Sequence, residues 1–526
     1  MARRGQIRGQ MQHVDLVEDD GTAHPGSAPA PGPSTAAGAA PHATPTADRR
    51  RRRRTVLLSV LTAVVVLGAV LVVHVRADAR ERQRLASLAD LPFVAAPLDG
   101  PPRVAWTAPE GRLDMLVAPV GDVLVSIRTG FDQRADVVAV DATDGSERWR
   151  VEALASVARD APDDAEILGF AGTCVAHPMT PDAVACLATD AAGYTDGEKW
   201  QSLPPTVARL LVLDARDGRV LTDLTDALPR PLPRNLAAAG ADLAVWDDAD
   251  DVLRVRALTP EGGVAWERTL EAPATEGAPA WVGPLDTRTT ALLTPQSVHV
   301  VGPDGADLRV APLAPTESAQ QTTTGRVVIV PSWEAHVGAL QGAMPTPSGV
   351  RLVTADSDVD LDGTLVPATD DGSVPGLLLT LVDTGTLQAW NGDGERSWTW
   401  DLDGVASWFR DSRTSTTVLD GRVHMAGPGL LVTLDARTGR ELWRSDALGS
   451  GDVVTDGRLL LGLADPTTSD AIGPELVALR RDDGTVAWRA PLPVGTDLVM
   501  VQARLLLAVE SPDDGPTTYH VLAGDG

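Results

Sequence analysis

Hydrophobic and polar positions alternate in short bursts along most of this chain, and the bursts come in pairs. The clearest pair is Leu431-Val432-Thr433-Leu434-Asp435-Ala436-Arg437-Thr438-Gly439-Arg440-Glu441-Leu442-Trp443. It predicts an alternating strand, a tight turn and a second strand carrying one tryptophan. Gly439 can take the positive φ such a turn requires, and the aspartate before it can hydrogen-bond the turn backbone. Residues 137–149, 387–398 and 476–488 repeat the unit. The copy at 254–266 loses the aspartate, the copy at 210–222 has Thr222 where the tryptophan belongs, and the copy at 298–309 keeps only the strand and Gly305.

The turn glycines fall at 145, 218, 262, 305, 394, 439 and 484. Four of the gaps are one period in the forties. The gap after 145 reads as a period with an insertion. The gap from 305 to 394 reads as a period with a larger insertion in preference to an extra unit. Short strands at this period predict a β-propeller with one four-stranded blade per repeat. Tyr519-His520-Val521-Leu522 has the look of a third strand and Arg103-Val104-Ala105-Trp106 of a fourth. Pairing them would close the ring from both ends of the chain and remove its open edges. The expected fold is therefore all-β, an eight-bladed propeller over 101–526, with seven blades as the alternative.

Upstream the pattern changes. Residues 1–48 are rich in Pro, Ala, Gly, Ser and Thr, too poor in large apolar groups to offset chain entropy, and predict a disordered tail. Six arginines, 49–54, abut an uncharged apolar stretch at 55–75. As a helix those 21 residues span roughly 30 Å, the thickness of a bilayer core. Arginines beside the span set the tail in the cytoplasm and everything after it outside. A cleaved signal would have a shorter apolar core. The expectation is a single-pass anchor in the cell membrane, a stalk at 76–100, and an extracytoplasmic propeller.

Charge narrows the partners. The formal net charge is −27, and Arg3, Arg4, Arg8 and the run at 49–54 all precede the expected span, which leaves the outer domain more acidic still. A surface so acidic repels phosphate backbones, which excludes nucleic acid as a partner of the outer domain. The two cysteines, Cys174 and Cys186, flank a Pro-containing turn. In an oxidising exterior they predict a structural disulfide, with a redox pair as the alternative.

With the Asp-Ala-x-Thr-Gly…Trp pattern at 435–443 and 141–149 on the page, the repeats resemble those of the PQQ-like (pyrroloquinoline-quinone) propeller family. Its members include quinoprotein alcohol dehydrogenases and the propeller lipoprotein of the bacterial outer-membrane β-barrel assembly machine. The resemblance implies that Trp106, Trp149, Trp266, Trp398, Trp443 and Trp488 dock between adjacent blades. It says little about function. Quinoprotein dehydrogenases carry an adjacent pair of cysteines over the quinone, whereas Cys174 and Cys186 are well separated, so a quinone is not expected. No zinc-protease, haem-attachment, nucleophile-elbow or P-loop motif is present, and no catalytic residue is assigned. The scattered histidines, among them His177, His299, His336, His424 and His520, read as strand or loop residues.

One constellation could hold a metal. Asp358-Val359-Asp360-Leu361-Asp362-Gly363 fits a D-x-D-x-D-G loop, whose alternating carboxylates suit calcium, although Thr369 stands where the final glutamate would be. The plain reading beside it is an acidic solvated loop. Trp390, Trp398, Trp400 and Trp408 are dense enough for a sugar platform, but packing is the preferred account. The functional expectation is a binding or scaffold module for another envelope protein or a ligand. The alternative is an enzyme, a divergent quinoprotein dehydrogenase or a hydrolase, with its residues on the inserted stretches 150–205 and 310–385.

Overall fold

The structure is a computed structural model. It describes residues 75–76, 79–89 and 91–524, apart from 110–116, 130–133, 156–166, 170–171, 196–199, 273–279, 333–348, 355–356, 383–384, 403–413, 450, 467–472 and 513–514. The tail at 1–48, the arginine run and the expected membrane span, except for Val75, lie outside the described residues. Among the described residues no helix is long and apolar enough to cross a membrane. The chain divides into two units, 1–77 and 78–526. Of the first, only Val75 and Arg76 are described, and both are helical.

The second unit is a propeller of nine blades, one more than the repeat arithmetic predicts. Blades 1 to 8 occupy 118–154, 172–223, 235–271, 281–312, 317–361, 364–401, 415–445 and 453–491. Each contributes four antiparallel strands. Blade 9 takes three strands from 496–523 and its fourth, Arg103–Pro109, from near the other end of the chain. That strand pairs with Thr518–Ala523, Trp106 opposite Val521, as the sequence predicts.

The additional blade is blade 5, within the 305–394 gap. Its first strand, Glu317–Gln321, is ESAQQ, and its fourth, Asp358–Leu361, is DVDL. The first lacks the apolar alternation, and the second alternates but with aspartates and no tryptophan. The cysteines likewise lie within blade 2 proper, not in an insertion. Cys174 on Gly172–Ala176 faces Cys186 on Ala183–Thr189, and the two are disulfide-bonded. What is inserted there is a satellite sheet of three strands, Ile167–Gly169, Ala192–Thr195 and Trp200–Leu203.

Nine clusters of buried apolar residues fill the nine seams. The seam between blades 9 and 1, for example, joins Val509 and Val521 to Leu124 and Val138. The seam of blades 4 and 5 joins Leu293 and Val298 to Val327 and Ile329. First strands of successive blades also touch one another, which places them nearest the axis.

Across most seams runs one repeated contact. The indole on the fourth strand of one blade lies against the turn glycine of the next. Trp106 meets Gly145, Trp149 meets Gly218, Trp266 meets Gly305, Trp398 meets Gly439 and Trp443 meets Gly484. Trp149 and Trp398 each donate Nε1–H to the carbonyl of the alanine beside that turn, Ala215 and Ala436, at 2.8 Å. Asp435 Oδ1 holds the turn by accepting the N–H groups of Arg437 and Thr438 and the Thr438 hydroxyl. Where the tryptophan is missing, Leu224 meets Gly262 and Val359 meets Gly394. Trp488 is half-buried in the seam of blades 8 and 9.

The expected stalk is partly built into the propeller. A helix over 79–88 and the segment after it pack on blades 7 to 9. Leu88 and Val94 cluster with Leu419, and Ala95 N–H donates to Thr455 O at 2.8 Å. Arg84 pairs with Glu81 and donates to Gly457 O, while Leu98 N–H donates to Asp456 Oδ2.

A Cβ at Gly439 would stand 2.6 Å from the Trp398 ring, at a φ of +69°. Gly439→Ala is expected to cost about 2 kcal/mol or more, and Trp398→Ala about 3–5 kcal/mol. In denaturant unfolding the double variant should lose much less than the sum, because both changes remove one contact.

Candidate functional site

Of the three carboxylates expected to form a calcium loop, two lie on a strand. Asp358 and Asp360 belong to the fourth strand of blade 5, and Asp362 to the bend after it. Asp358 is engaged by Arg309 at 3.0 Å and Arg351 at 3.2 Å, tying blade 4 to blade 5. Among the described residues no group of three or more His, Cys, Asp or Glu is arranged to hold a metal ion. The alternation that suggested ligands is that of a strand with one polar face.

The other candidates are structural where they are described. Trp390 is buried with Nε1–H on Thr380 Oγ1 at 2.8 Å, and Trp408 lies outside the described residues. His299 bridges Ser297 and Asp307. His424, on the second strand of blade 7, is fully buried with Nδ1 at 2.7 Å from Thr433 Oγ1. Burial holds its imidazole neutral, with the pKa pushed down to about 3. His336 is outside the described residues.

The chemistry that sequence reasoning missed sits between the first two strands of blade 6. Blade 6 begins with Thr364–Leu365, and the chain then leaves the blade, crosses to its neighbour and returns at Leu378–Val382. On the way Thr369–Asp370 pairs in parallel with Ser415–Leu419, adding a fifth strand to the axis side of blade 7. This strap is fastened at both sides. Asp370 N–H donates to Thr323 Oγ1 on blade 5 at 2.9 Å. Asp371 Oδ2 accepts Asp420 N–H at 2.7 Å, and Ser373 Oγ accepts Gly421 N–H at 2.7 Å, both on blade 7.

Under the strap, against blades 5 to 7, is a cavity of about 370 Å³. Its walls combine hydroxyls, including Thr323, Thr369 and Thr416, with apolar side chains such as Leu378 and Val418. A second cavity of about 250 Å³ shares Thr369, Thr417 and Val453 with it and continues along blades 7 to 9 to Phe93. Asp370 lines the larger one and is only 7% exposed. Its carboxylate accepts Gly372 N–H on Oδ1 at 2.8 Å. Burial, reinforced by neighbouring Asp371 and opposed by Gly372 N–H and Arg326, pushes its pKa up to about 6.

Residues 427–525, comprising most of blade 7, blade 8 and most of blade 9, match a family model described as outer membrane protein assembly factor BamB. The chain is a β-propeller, and the part that matches this model lies in its last three blades. A curated relative, the serine/threonine-protein kinase AfsK of Streptomyces griseus, is 30% identical over 128 residues, 22% of this chain. The aligned part spans 14% of that protein's length. Among solved structures, BamB from Moraxella catarrhalis is similar to this chain with a TM-score of 0.36 and 16% identity, over 80% of this chain and 99% of that one. Quinohemoprotein alcohol dehydrogenase from Comamonas testosteroni gives 0.38 and 12%, over 85% and 84%.

Two buried groups make stability depend on pH in opposite senses. The Asp370 carboxyl, raised when folded, leaves the propeller unpenalised below pH 3.8 and costs stability as pH rises towards 6. Asp370→Asn should therefore match the wild type near pH 4 and exceed it by about 2–3 kcal/mol at pH 7.5 in urea unfolding. The neutral His424 acts the other way. Its contribution is intact above pH 6.5 and is lost as pH falls towards 3, so His424→Gln should flatten the acid limb of the same curve.

Proposed function

We propose that this protein is a binding module of the cell envelope. A single N-terminal span anchors it, and the propeller outside presents its axis-side cavity to an envelope protein or a ligand. The observation that carries the reading is the cavity itself. It is concave, of ligand size, and lined by apolar and hydroxyl groups on the first strands of blades that are wedged in place by their neighbours. A rigid frame spares a partner the cost of ordering the site. The family description of the last two blades, an assembly factor, fits a module that works by holding other proteins.

A second reading is catalytic. Asp370 falls within 310–385, and a carboxyl titrating near 6 in a cavity suits general-base chemistry. Against a quinoprotein stands the pairing of Cys174 with Cys186 across two strands of blade 2, in place of adjacent cysteines over a quinone. Dye-linked alcohol oxidation by the purified chain supplied with quinone and calcium would favour catalysis.

The binding reading is tested with a photo-crosslinking amino acid placed in cells at Gln320, on the cavity rim, or at Glu267, on the outer strand of blade 3. A discrete adduct from Gln320 and none from Glu267 is the expected result. Equal, diffuse labelling from both positions would overturn it.

A further inference from the structure

A carboxylate this deeply buried ordinarily has a cationic partner, because an ionised group removed from water is costly unless its charge is answered. Two aspartates of blades 4 and 5 follow that rule. Asp358 has two arginines and Asp307 has Arg268 at 2.6 Å. Asp370 has none among the described residues. Arg326, whose charge acts on it through space, instead donates to Gly392 O and packs against Gly376 and Gly392. What Asp370 does have is one backbone N–H on Oδ1 and a cavity.

The surroundings of that cavity are specific. Thr369 Oγ1 lies 3.1 Å from Thr417 Oγ1, and Thr323 Oγ1 accepts from Asp370 N–H, so hydroxyls line the cavity together with Asp370. Leu378 and Val418 supply an apolar wall. An ammonium carries three donors and no acceptor, which matches a cavity lined by one carboxylate and several hydroxyls, and the wall suits a hydrocarbon body. A free anion is disfavoured by the same charge.

We infer that the cavity beneath the strap is a binding site for a primary amine borne on an apolar body, with Asp370 as its counter-ion. The inference rests on the binding-module reading and names the chemistry of the same cavity. The raised carboxyl pKa adds a signature. An arriving ammonium must draw the proton off Asp370, so affinity falls as the solution is acidified past 6.

The test uses the full-length chain in detergent with 2-phenylethylamine as probe and 2-phenylethanol as its neutral counterpart, followed by calorimetry. Saturable one-to-one binding of the amine at pH 7.5 is expected, tighter than the alcohol by at least tenfold. Asp370→Asn should remove that preference while leaving the weak alcohol binding unchanged. For the unaltered protein, a titration at pH 5 should weaken the amine about tenfold, which needs no variant to fold. Amine affinity unmoved by Asp370→Asn or by pH, or no saturation at all, overturns the assignment. Should the Gln320 crosslink persist in that case, the module reading survives and only the ligand class fails.

Discussion

The ring depends on one contact, an indole laid flat on the turn glycine of the following blade. A propeller sheet is narrow and twisted, and its outer strand would otherwise expose an edge and a greasy face. The tryptophan covers that face and spans the seam. Its Nε1–H also satisfies a carbonyl at the neighbour's turn, so burying the ring leaves no polar group stranded. The glycine is the other half of the device. Any side chain there would occupy the space of the ring. The aspartate then fixes the turn that presents the glycine. Each blade is thus braced by its predecessor, which explains why partial copies survive: Leu224 and Val359 fill the same place with less surface.

The same contact explains what was legible in the sequence. Gly439 and Trp443 betray strand, turn and seam together because one interaction needs all three at fixed spacing. Closure by Arg103–Pro109 was equally readable, since the two end segments complete one four-strand pattern. Blade 5 was not. Its outer strand spells DVDL, its first strand is polar, and both take their stability from arginine pairs and from apolar strands in the middle of the blade. Alternating carboxylates fit ligands and a one-sided strand alike, and the pairing of Asp358 with Arg309 and Arg351 cannot be read from their spacing.

The cavity was still further from view. Nothing in Leu365-Val366-Pro367-Ala368-Thr369-Asp370-Asp371-Gly372 announces a strap, because its partners, Thr323 and residues 415–421, are some fifty residues away on either side. A parallel pairing of two residues leaves no periodicity to detect. Asp370 looks like one acidic residue among many in a strongly negative chain. Its isolation arises from being folded under the strap, a property of place and not of spelling.

Blade 9, assembled from both ends of the chain, has a consequence for synthesis and for load. While the protein is being made, blade 1 presents a bare flank until the final thirty or so residues emerge to meet the strand made first. Nascent chains are thus held open, with Leu124 and Val138 of blade 1 uncovered, until the ring closes. Once latched, Arg103–Pro109 is held by its antiparallel ladder with Thr518–Ala523 and, upstream, by the packing of Leu88, Val94 and Ala95 on blades 7 and 8.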